Sequence, residues 1–190
     1  MTAPVDQQDW LDIQASLQGD EQAFACLIGR YEARVASQMS RFTRDHAILE
    51  ELVQDVFVEV YLSLPGFKGR APFLHWLRRI ATRTGYRYWK RKERERHRRA
   101  AIGASDLAIL AEPEDRTPFE AAETLHKLIG LLPPKDRLVI SLYYFDEYGT
   151  AEIAERTGWT RTMVKVRMHR ARKRLKNLLL DAGYGSDGHG

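Results

Sequence analysis

Residues 150–175 read TAEIAERTGWTRTMVKVRMHRARKRL, and the spacing of the small residues predicts a helix-turn-helix. Ala154 is small enough to let two helices cross closely, and Gly158 supplies the positive backbone angle that a tight turn needs. Val164, six residues after the glycine, is expected to fill the space between the helices, and Thr160 is a good cap for the second one. In this motif the second helix enters the major groove of DNA.

The second helix of the motif has an apolar stripe and a basic face. A buried stripe at helical spacing is predicted for Val164, Met168, Ala171, Leu175 and Leu178. The residues that lie away from this stripe are Lys165, Val166, His169, Arg170 and Lys173. Lysine and arginine at such positions can reach guanine edges. Four further basic residues are expected to hold phosphates: Arg167, Arg172, Arg174 and Lys176. The alternative is a basic amphipathic helix on some other all-helical fold.

The positive charge is concentrated in two segments of an otherwise acidic chain. The 190 residues include 30 basic and 26 acidic ones, a formal net charge of +4. Residues 68–99 hold 13 basic and 2 acidic residues, and residues 156–176 hold 9 basic residues and no acidic one. Two separate basic segments indicate a polyanion held at two places, which favours a nucleic acid over two solvated helix faces.

Helical periodicity dominates and predicts an all-α protein with two small helical domains joined by a flexible linker. Asp20 is expected to cap the first helix, which runs to about Phe42. Further helices are predicted at about 45–62, 72–98, 119–132, 134–145, 150–156 and 160–180. The predicted boundaries are 1–98 for the first domain, 99–118 for the linker, 119–181 for the helix-turn-helix domain and 182–190 for a disordered tail.

The sequence offers little for catalysis, metal binding or membrane insertion. Cys26 is the only cysteine and is predicted to be a small core residue, which rules out a disulfide framework. The six histidines are scattered, and no glycine-rich loop of the phosphate-binding type is present. The acidic N-terminus has no apolar run, so a cytoplasmic protein without a signal peptide is expected. We expect no enzyme, no cofactor, no metal and no small-molecule substrate.

Two segments of the first domain carry further information. Residues 49–57, LEELVQDVF, place a polar stripe of Glu50, Glu51, Gln54 and Asp55 opposite an apolar one, and composition alone indicates a solvated face. Residues 67–81, FKGRAPFLHWLRRIA, form a basic loop that leads into a basic helix with interleaved Tyr86, Tyr88 and Trp89. Basic residues can hold a nucleic-acid backbone while aromatic rings stack on unpaired bases. Phe73 and Trp76 are expected in the core.

Taken in order, these three segments resemble the bacterial RNA polymerase sigma factors of the extracytoplasmic-function (ECF) group, over about residues 19–180. The resemblance implies a protein that binds core RNA polymerase and directs promoter-specific initiation. It implies that Glu51, Gln54 and Asp55 dock on the clamp helices of the β′ subunit, with the β subunit as a further contact. It also implies an anti-sigma factor that holds the free protein inactive.

The resemblance also implies the DNA contacts. The loop 67–72 would capture a base flipped out of the minus-ten element, and the helix after it would follow the non-template strand. The residues implied at the minus-ten element are Phe67, Lys68, Gly69, Arg70, Arg79 and Arg83. Those implied at the minus-thirty-five element are Lys165, Val166, Arg167, His169, Arg170 and Lys173. Thr82, Tyr143 and Val166 depart from the residues common in the family, so the particular promoter sequence stays open.

Two other functions remain alternatives at this point. A free-standing helix-turn-helix regulator would explain residues 150–175, but it would bind palindromic half-sites as a dimer and leave the basic segment 68–99 unused. An enzyme acting on nucleic acid would need a metal or phosphate-binding motif that the sequence does not show.

Overall fold

The computed structural model describes residues 6–101 and 118–184, and these ranges are helical without a strand. Contacts divide the chain into two units, Met1–Trp89 and Lys90–Gly190. The all-α prediction is confirmed. Residues 102–117 of the predicted linker and residues 185–190 of the predicted tail lie outside the described residues.

The described ranges contain eight α-helices and one 3₁₀ turn. In chain order they are α1 (Gln7–Leu17), α2 (Glu21–Met39), α3 (His46–Ser63), the 3₁₀ turn (Leu64–Gly66), α4 (Phe73–Ala101), α5 (Pro118–Gly130), α6 (Pro134–Tyr144), α7 (Thr150–Thr157) and α8 (Arg161–Asp181). The helix α4 extends to Ala101 and so includes the first three residues of the predicted linker. None of these helices is both long enough and apolar enough to span a membrane.

Short polar side chains set the beginnings of several helices. Asp20, Asp45 and Thr160 each accept a hydrogen bond from the backbone N–H three residues later, at 3.1, 3.2 and 3.1 Å. Each bond satisfies an N–H that the first helical turn leaves without a partner. The predicted caps at Asp20 and Thr160 are confirmed.

The core of the first unit is formed by the apolar stripes of α2, α3 and α4. Its fully buried members include Leu27, Val35 and Met39 of α2, Leu52, Val56 and Val60 of α3, and Phe73, Leu77 and Ala81 of α4. Polar bonds between helices fix their register: Gln38 Nε2 donates to Thr82 Oγ1 at 3.0 Å, and Trp89 Nε1 donates to the Phe42 carbonyl at 2.9 Å. The apolar stripe that the sequence predicts opposite the acidic residues of α3 is therefore one of the three that pack.

The sequence pattern predicts no helix before Asp20, and the structure adds α1. Its buried residues include Asp9 and Asp12, whose carboxylates are bridged by Arg30 of α2 at 2.5 and 2.6 Å. Burial lowers the pKa of Arg30, but the hydrogen bonds to Asp12 and Asp9 outweigh that effect, and the net pKa is raised. The buried face of α1 carries Asp9, Asp12 and Ser16 beside one apolar residue, Ile13, so apolar periodicity did not reveal this helix.

The helix-turn-helix is formed by α7 and α8 of the second unit. Gly158 has a φ of +74°, and its N–H donates to the Ala154 carbonyl at 2.9 Å. Val164 is fully buried together with Ile153 of α7. The predicted turn, plug and cap are all confirmed.

The turn between α6 and α7 contains a strained non-glycine residue, and this gives a stability prediction. Glu147 is exposed and has a φ of +56°, where a Cβ costs roughly 1–2 kcal/mol. Because glycine also gains freedom in the unfolded chain, we expect Glu147→Gly to stabilise the protein by about 0.5–1 kcal/mol. The midpoint of urea unfolding measures the change. Glu147→Ala keeps the Cβ and is the control. Equal midpoints for the two variants would contradict the prediction.

Candidate nucleic-acid interface

The face of α8 that the sequence assigns to DNA is exposed. All five side chains predicted away from the stripe are exposed, namely Lys165, Val166, His169, Arg170 and Lys173. On the opposite face Val164, Met168 and Ala171 are buried, while Leu175 and Leu178 are half-buried. The stripe therefore holds α8 against the rest of the unit and leaves the basic face available to a ligand.

Two of the arginines predicted to hold phosphates have a partner inside the protein. Arg167 Nη1 lies 3.2 Å from Asp136 Oδ1, and Arg174 Nη1 lies 2.7 Å from Asp136 Oδ2. Asp136 is 0% exposed and sits in the first turn of α6. The two arginines neutralise this buried carboxylate and tie α8 to α6. A contact of Arg167 with DNA stays a prediction, beside an internal role that the sequence did not reveal.

An aromatic pair at the end of α6 holds a third arginine. Arg172 Nε lies 3.1 Å from the Tyr144 hydroxyl oxygen and donates to it, and its guanidinium carbon lies 5.3 Å from the centre of the Tyr143 ring. Beside this group is an open cavity of about 240 Å³, lined by Tyr143, Thr150, Lys165, Met168, His169 and Arg172. The Tyr143 ring thus lies at the predicted reading face.

The basic loop before α4 is anchored by aromatic packing. Phe67 is only 8% exposed, and its ring centre lies 5.6 Å from that of Phe73 and 5.1 Å from that of Trp76. Lys68 and Arg70 are exposed on the loop between them. Phe67, predicted from the resemblance to contact the minus-ten element, is therefore placed in the core, where it fixes one end of the loop.

The basic helix α4 presents its cations and buries most of its aromatic rings. Arg83 is exposed and lines a groove of about 220 Å³ together with Glu59, Ser63, Trp76, Ile80 and Arg87. Arg79, one turn earlier, is half-buried. Tyr88 and Trp89 are buried, so the prediction that they offer stacking surfaces is wrong: both rings are part of the core.

The acidic stripe of α3 is solvent-exposed, as the sequence predicts. Glu51, Gln54 and Asp55 occupy successive turns of one face, while Leu52 and Val56 are buried on the other. Cys26 on α2 is exposed, which corrects its assignment to the core. It lies off the buried row of that helix, which runs through Ala23, Leu27 and Tyr31. Among the described side chains no group of three or more His, Cys, Asp or Glu residues could hold a metal ion.

Comparison with known proteins assigns both units to one family. Residues 27–95 match Sigma-70 region 2, and residues 122–175 match Sigma-70, region 4. The chain is 30% identical over 172 residues to the ECF RNA polymerase sigma factor SigW of Bacillus subtilis (strain 168), covering 86% of this chain and 92% of SigW. The chain belongs to the ECF sigma factors. Its identity to the ECF sigma-E factor of Escherichia coli (strain K12) is also 30%, over 170 residues, 84% of this chain and 87% of sigma-E.

Solved structures agree with this assignment. CnrH, in its complex with the cytosolic domain of CnrY, is 27% identical and covers 93% of this sigma factor and 99% of its own chain, at a TM-score of 0.57. RpoE in complex with the anti-sigma factor NepR from Bartonella quintana shares the fold at 20% identity and a TM-score of 0.57, covering 83% and 96% of the two chains.

The family decides between the alternatives that the sequence left open. A free-standing helix-turn-helix regulator accounts for the region 4 match alone, whereas this chain also matches region 2 over 27–95. Sigma factors are transcription initiation factors and not enzymes. The helix α1 precedes the stretch that matches region 2, so the match assigns no role to it.

Proposed function

We propose that this sigma factor holds core RNA polymerase with the acidic face of α3 and reads a promoter with two separate surfaces. The loop 67–72 and α4 bind the minus-ten element, and the exposed face of α8 binds the minus-thirty-five element. The exposure of α8 supports the proposal: the five exposed residues proposed to bind the minus-thirty-five element share the face of α8 opposite its buried stripe.

At the minus-thirty-five element, the residues of α8 proposed to contact base edges differ from the residue proposed to contact the DNA backbone. Lys165 and Arg170 are exposed and lie about one turn and about two and a half turns into the helix, where side chains of a helix in the major groove meet base edges. His169 and Val166 flank them, and Val166 can contact the methyl group of thymine. Lys173 follows one turn later and holds the DNA backbone. Such phosphate contacts give affinity without sequence choice.

At the minus-ten element, the same sigma factor helps to open the duplex. Each base-pair step costs about 1.4 kcal/mol of stacking on average. One base captured on a protein surface returns about 1–3 kcal/mol. Capture of a single base by the loop therefore offsets about one or two steps of melting. Lys68, Arg70, Arg79 and Arg83 hold the separated strand through its phosphates, as a basic groove does for single-stranded DNA.

The acidic face of α3 is suited to a partner of opposite charge. The side chains of Glu51, Gln54 and Asp55 make no hydrogen bond or ion pair with another residue in the part of the chain that the structure describes. Their polar groups are therefore directed to solvent or to a partner. We propose that they bind the clamp helices of the β′ subunit, and that the protein works with RNA polymerase in the cytoplasm.

A protein of the anti-sigma type is proposed to compete for these surfaces. CnrH was solved with the cytosolic domain of CnrY, and this chain aligns with CnrH over nearly its whole length. Such a partner would cover the acidic face of α3 and the basic faces together, and so exclude polymerase and DNA. Purification of the sigma factor from its source should yield a bound protein that core polymerase displaces. Absence of any competing partner would overturn this part of the proposal.

Runoff transcription tests the proposed function directly. Purified core RNA polymerase is supplied with fragments of the source genome, with and without this protein. We expect discrete start sites that depend on the protein, each preceded by the same two promoter elements. Lack of both protein-dependent transcripts and core binding would overturn the role of Glu51, Gln54 and Asp55.

Arg170→Ala tests sequence reading by α8. A good bidentate contact to guanine discriminates by about 1–3 kcal/mol, so we expect promoter affinity to fall by about 5-fold to 150-fold. Binding to core polymerase should not change. The affinity of holoenzyme for the promoter and for a scrambled minus-thirty-five element measures the effect. Lys127→Ala, which removes an exposed cation from α5 of the same unit, is the control. An equal loss on both DNA sequences would show that Arg170 binds phosphate instead.

A further inference from the structure

We infer that Trp10 of α1 is a positioning residue that holds the base-capturing loop 67–72 in its binding shape. The inference rests on the proposed function of that loop and adds a residue that neither the sequence motifs nor the family match includes. Trp10 acts through the loop backbone and does not touch the captured base.

The contact between Trp10 and the loop is at Gly69. This glycine has a φ of +64°, a conformation that side-chain-bearing residues rarely adopt. A Cβ built on Gly69 would lie 2.9 Å from Cζ3 of Trp10, 3.4 Å from Cε3 and 3.5 Å from Cη2. The indole ring therefore packs directly against the backbone at the middle of the loop. Position 69 requires glycine for two reasons: its backbone angle disfavours a side chain, and the Trp10 ring occupies the space that a Cβ would need.

The two ends of the loop are fixed by other contacts. Phe67 and Phe73 pack edge to face with their ring centres 5.6 Å apart, and the Phe67 N–H donates to the Leu64 carbonyl at 3.0 Å. Between these anchors Lys68 and Arg70 are exposed on either side of Gly69. Glycine has the greatest backbone freedom of any residue. The Trp10 ring is thus the contact that restrains the loop at its most flexible position.

The position of Trp10 is itself fixed by the polar network of α1. Its neighbour Asp9 is 2% exposed and accepts hydrogen bonds from Arg30 Nη1 at 2.5 Å and from the Tyr31 hydroxyl at 2.5 Å. Burial and the bond to Asp9 raise the pKa of Tyr31, so its hydroxyl stays protonated and remains a donor. Asp6 caps the helix through the N–H of Gln8 at 2.9 Å. These bonds connect α1 to α2 and set the direction from which the ring meets Gly69.

An ordered loop favours capture because the cost of ordering it is met before the base arrives. Without the ring, Gly69 would sample other conformations, and base binding would have to order the loop. We therefore expect removal of Trp10 to reduce the promoter affinity that the captured base contributes, while the affinity for core polymerase stays unchanged. Because Trp10 is 39% exposed, we expect its removal to leave the protein folded, so that the effect on base capture can be measured separately from folding stability.

An abasic-site scan of the promoter tests the inference. The probe is a forked promoter DNA, taken from a runoff start site, whose non-template minus-ten strand is unpaired and carries one abasic site at a time. For wild-type holoenzyme we expect one position at which the abasic site lowers affinity by about 5-fold to 150-fold. The measured ratio is the affinity for the intact DNA divided by the affinity for the DNA with the abasic site at that position. In Trp10→Ala this ratio should shrink by more than about threefold, beyond the usual scatter of double-mutant cycles. Trp10→Phe should keep an intermediate ratio.

Controls separate loop positioning from folding and from the proposed function. Leu11→Ala changes a side chain of α1 that is 56% exposed and should retain the wild-type ratio. If wild-type holoenzyme shows no sensitive position, the proposed capture by the loop is wrong. If a sensitive position exists and Trp10→Ala keeps the full ratio, the inference about Trp10 is wrong. Should Trp10→Ala lose cooperative thermal unfolding, Trp10→Phe decides: an unchanged ratio in this variant overturns the inference.

Discussion

Reversing two charges on α3 is expected to abolish binding to core RNA polymerase. In the variant Glu51→Lys/Asp55→Lys, lysines replace carboxylates one helical turn apart on the exposed acidic face. A partner surface that fits an acidic face would then meet like charges, which costs several kcal/mol. We expect the affinity for core polymerase to fall by at least about 100-fold, measured by competition with a labelled sigma factor.

The fold should be unaffected by this change, because exposed substitutions alter stability by about 0.5 kcal/mol or less. Glu32→Lys on α2 is the matched control, since it reverses an exposed carboxylate of the same unit outside the acidic face of α3. Its core affinity should stay within about threefold of wild type, the effect of an ordinary surface change. Equal losses in the two variants would show that net charge and not the acidic face determines binding. An unchanged affinity in the double variant would place the polymerase contact elsewhere.

Gly85→Ala is expected to destabilise the first unit by about 2 kcal/mol. A Cβ on Gly85 would lie 2.5 Å from Cδ1, Cδ2 and Cε1 of Phe42. The Phe42 ring has little room to move, because its centre lies 4.4 Å from that of Trp89. Overpacking of this kind costs about 1–3 kcal/mol, and we place this site near the upper end. Better helix propensity returns up to about 1 kcal/mol, which leaves the net loss stated.

Thermal unfolding followed by circular dichroism measures this loss, and a domain of this size should melt about 8–16 °C lower. Gly29→Ala is the control, because Gly29 is an exposed position of α2 with no atom within 4 Å of the added Cβ. Without a clash the same substitution should stabilise the helix by about 0.5–1 kcal/mol. The two glycine variants are thus expected to shift the melting temperature in opposite directions. A Gly85→Ala protein as stable as wild type would show that Phe42 can move aside.

The helix-turn-helix is the part of the protein that is most predictable from the sequence. Its turn and cap depend on Gly158 and Thr160, which bond to atoms of Ala154 and Met163 only a few residues away, and its plug Val164 packs within the same motif. The exposed face of α8 follows from a spacing that any amphipathic helix shows. Interactions of this range can be read from a linear sequence because helix geometry converts residue spacing into distance.

The environment of the loop before α4 is less predictable from the sequence. Lys68, Gly69 and Arg70 are exposed or half-buried on it, whereas Phe67 is buried against Phe73 and Trp76. An aromatic residue in a basic segment is equally suited to stack on a base or to pack in a core. The sequence contains no information that separates the two, since the choice depends on which other rings the fold brings near.

By itself, the sequence determined the helices with apolar stripes, their caps, the helix-turn-helix and the distribution of charge that favours DNA. Only the tertiary structure decided which polar residues are internal. It added α1, whose carboxylates meet Arg30 of the next helix, and it paired Arg167 with the buried Asp136 from 31 residues away. It also placed Trp10 on Gly69. These contacts join residues far apart in the chain, and no local period encodes them, because each depends on two helices having already packed.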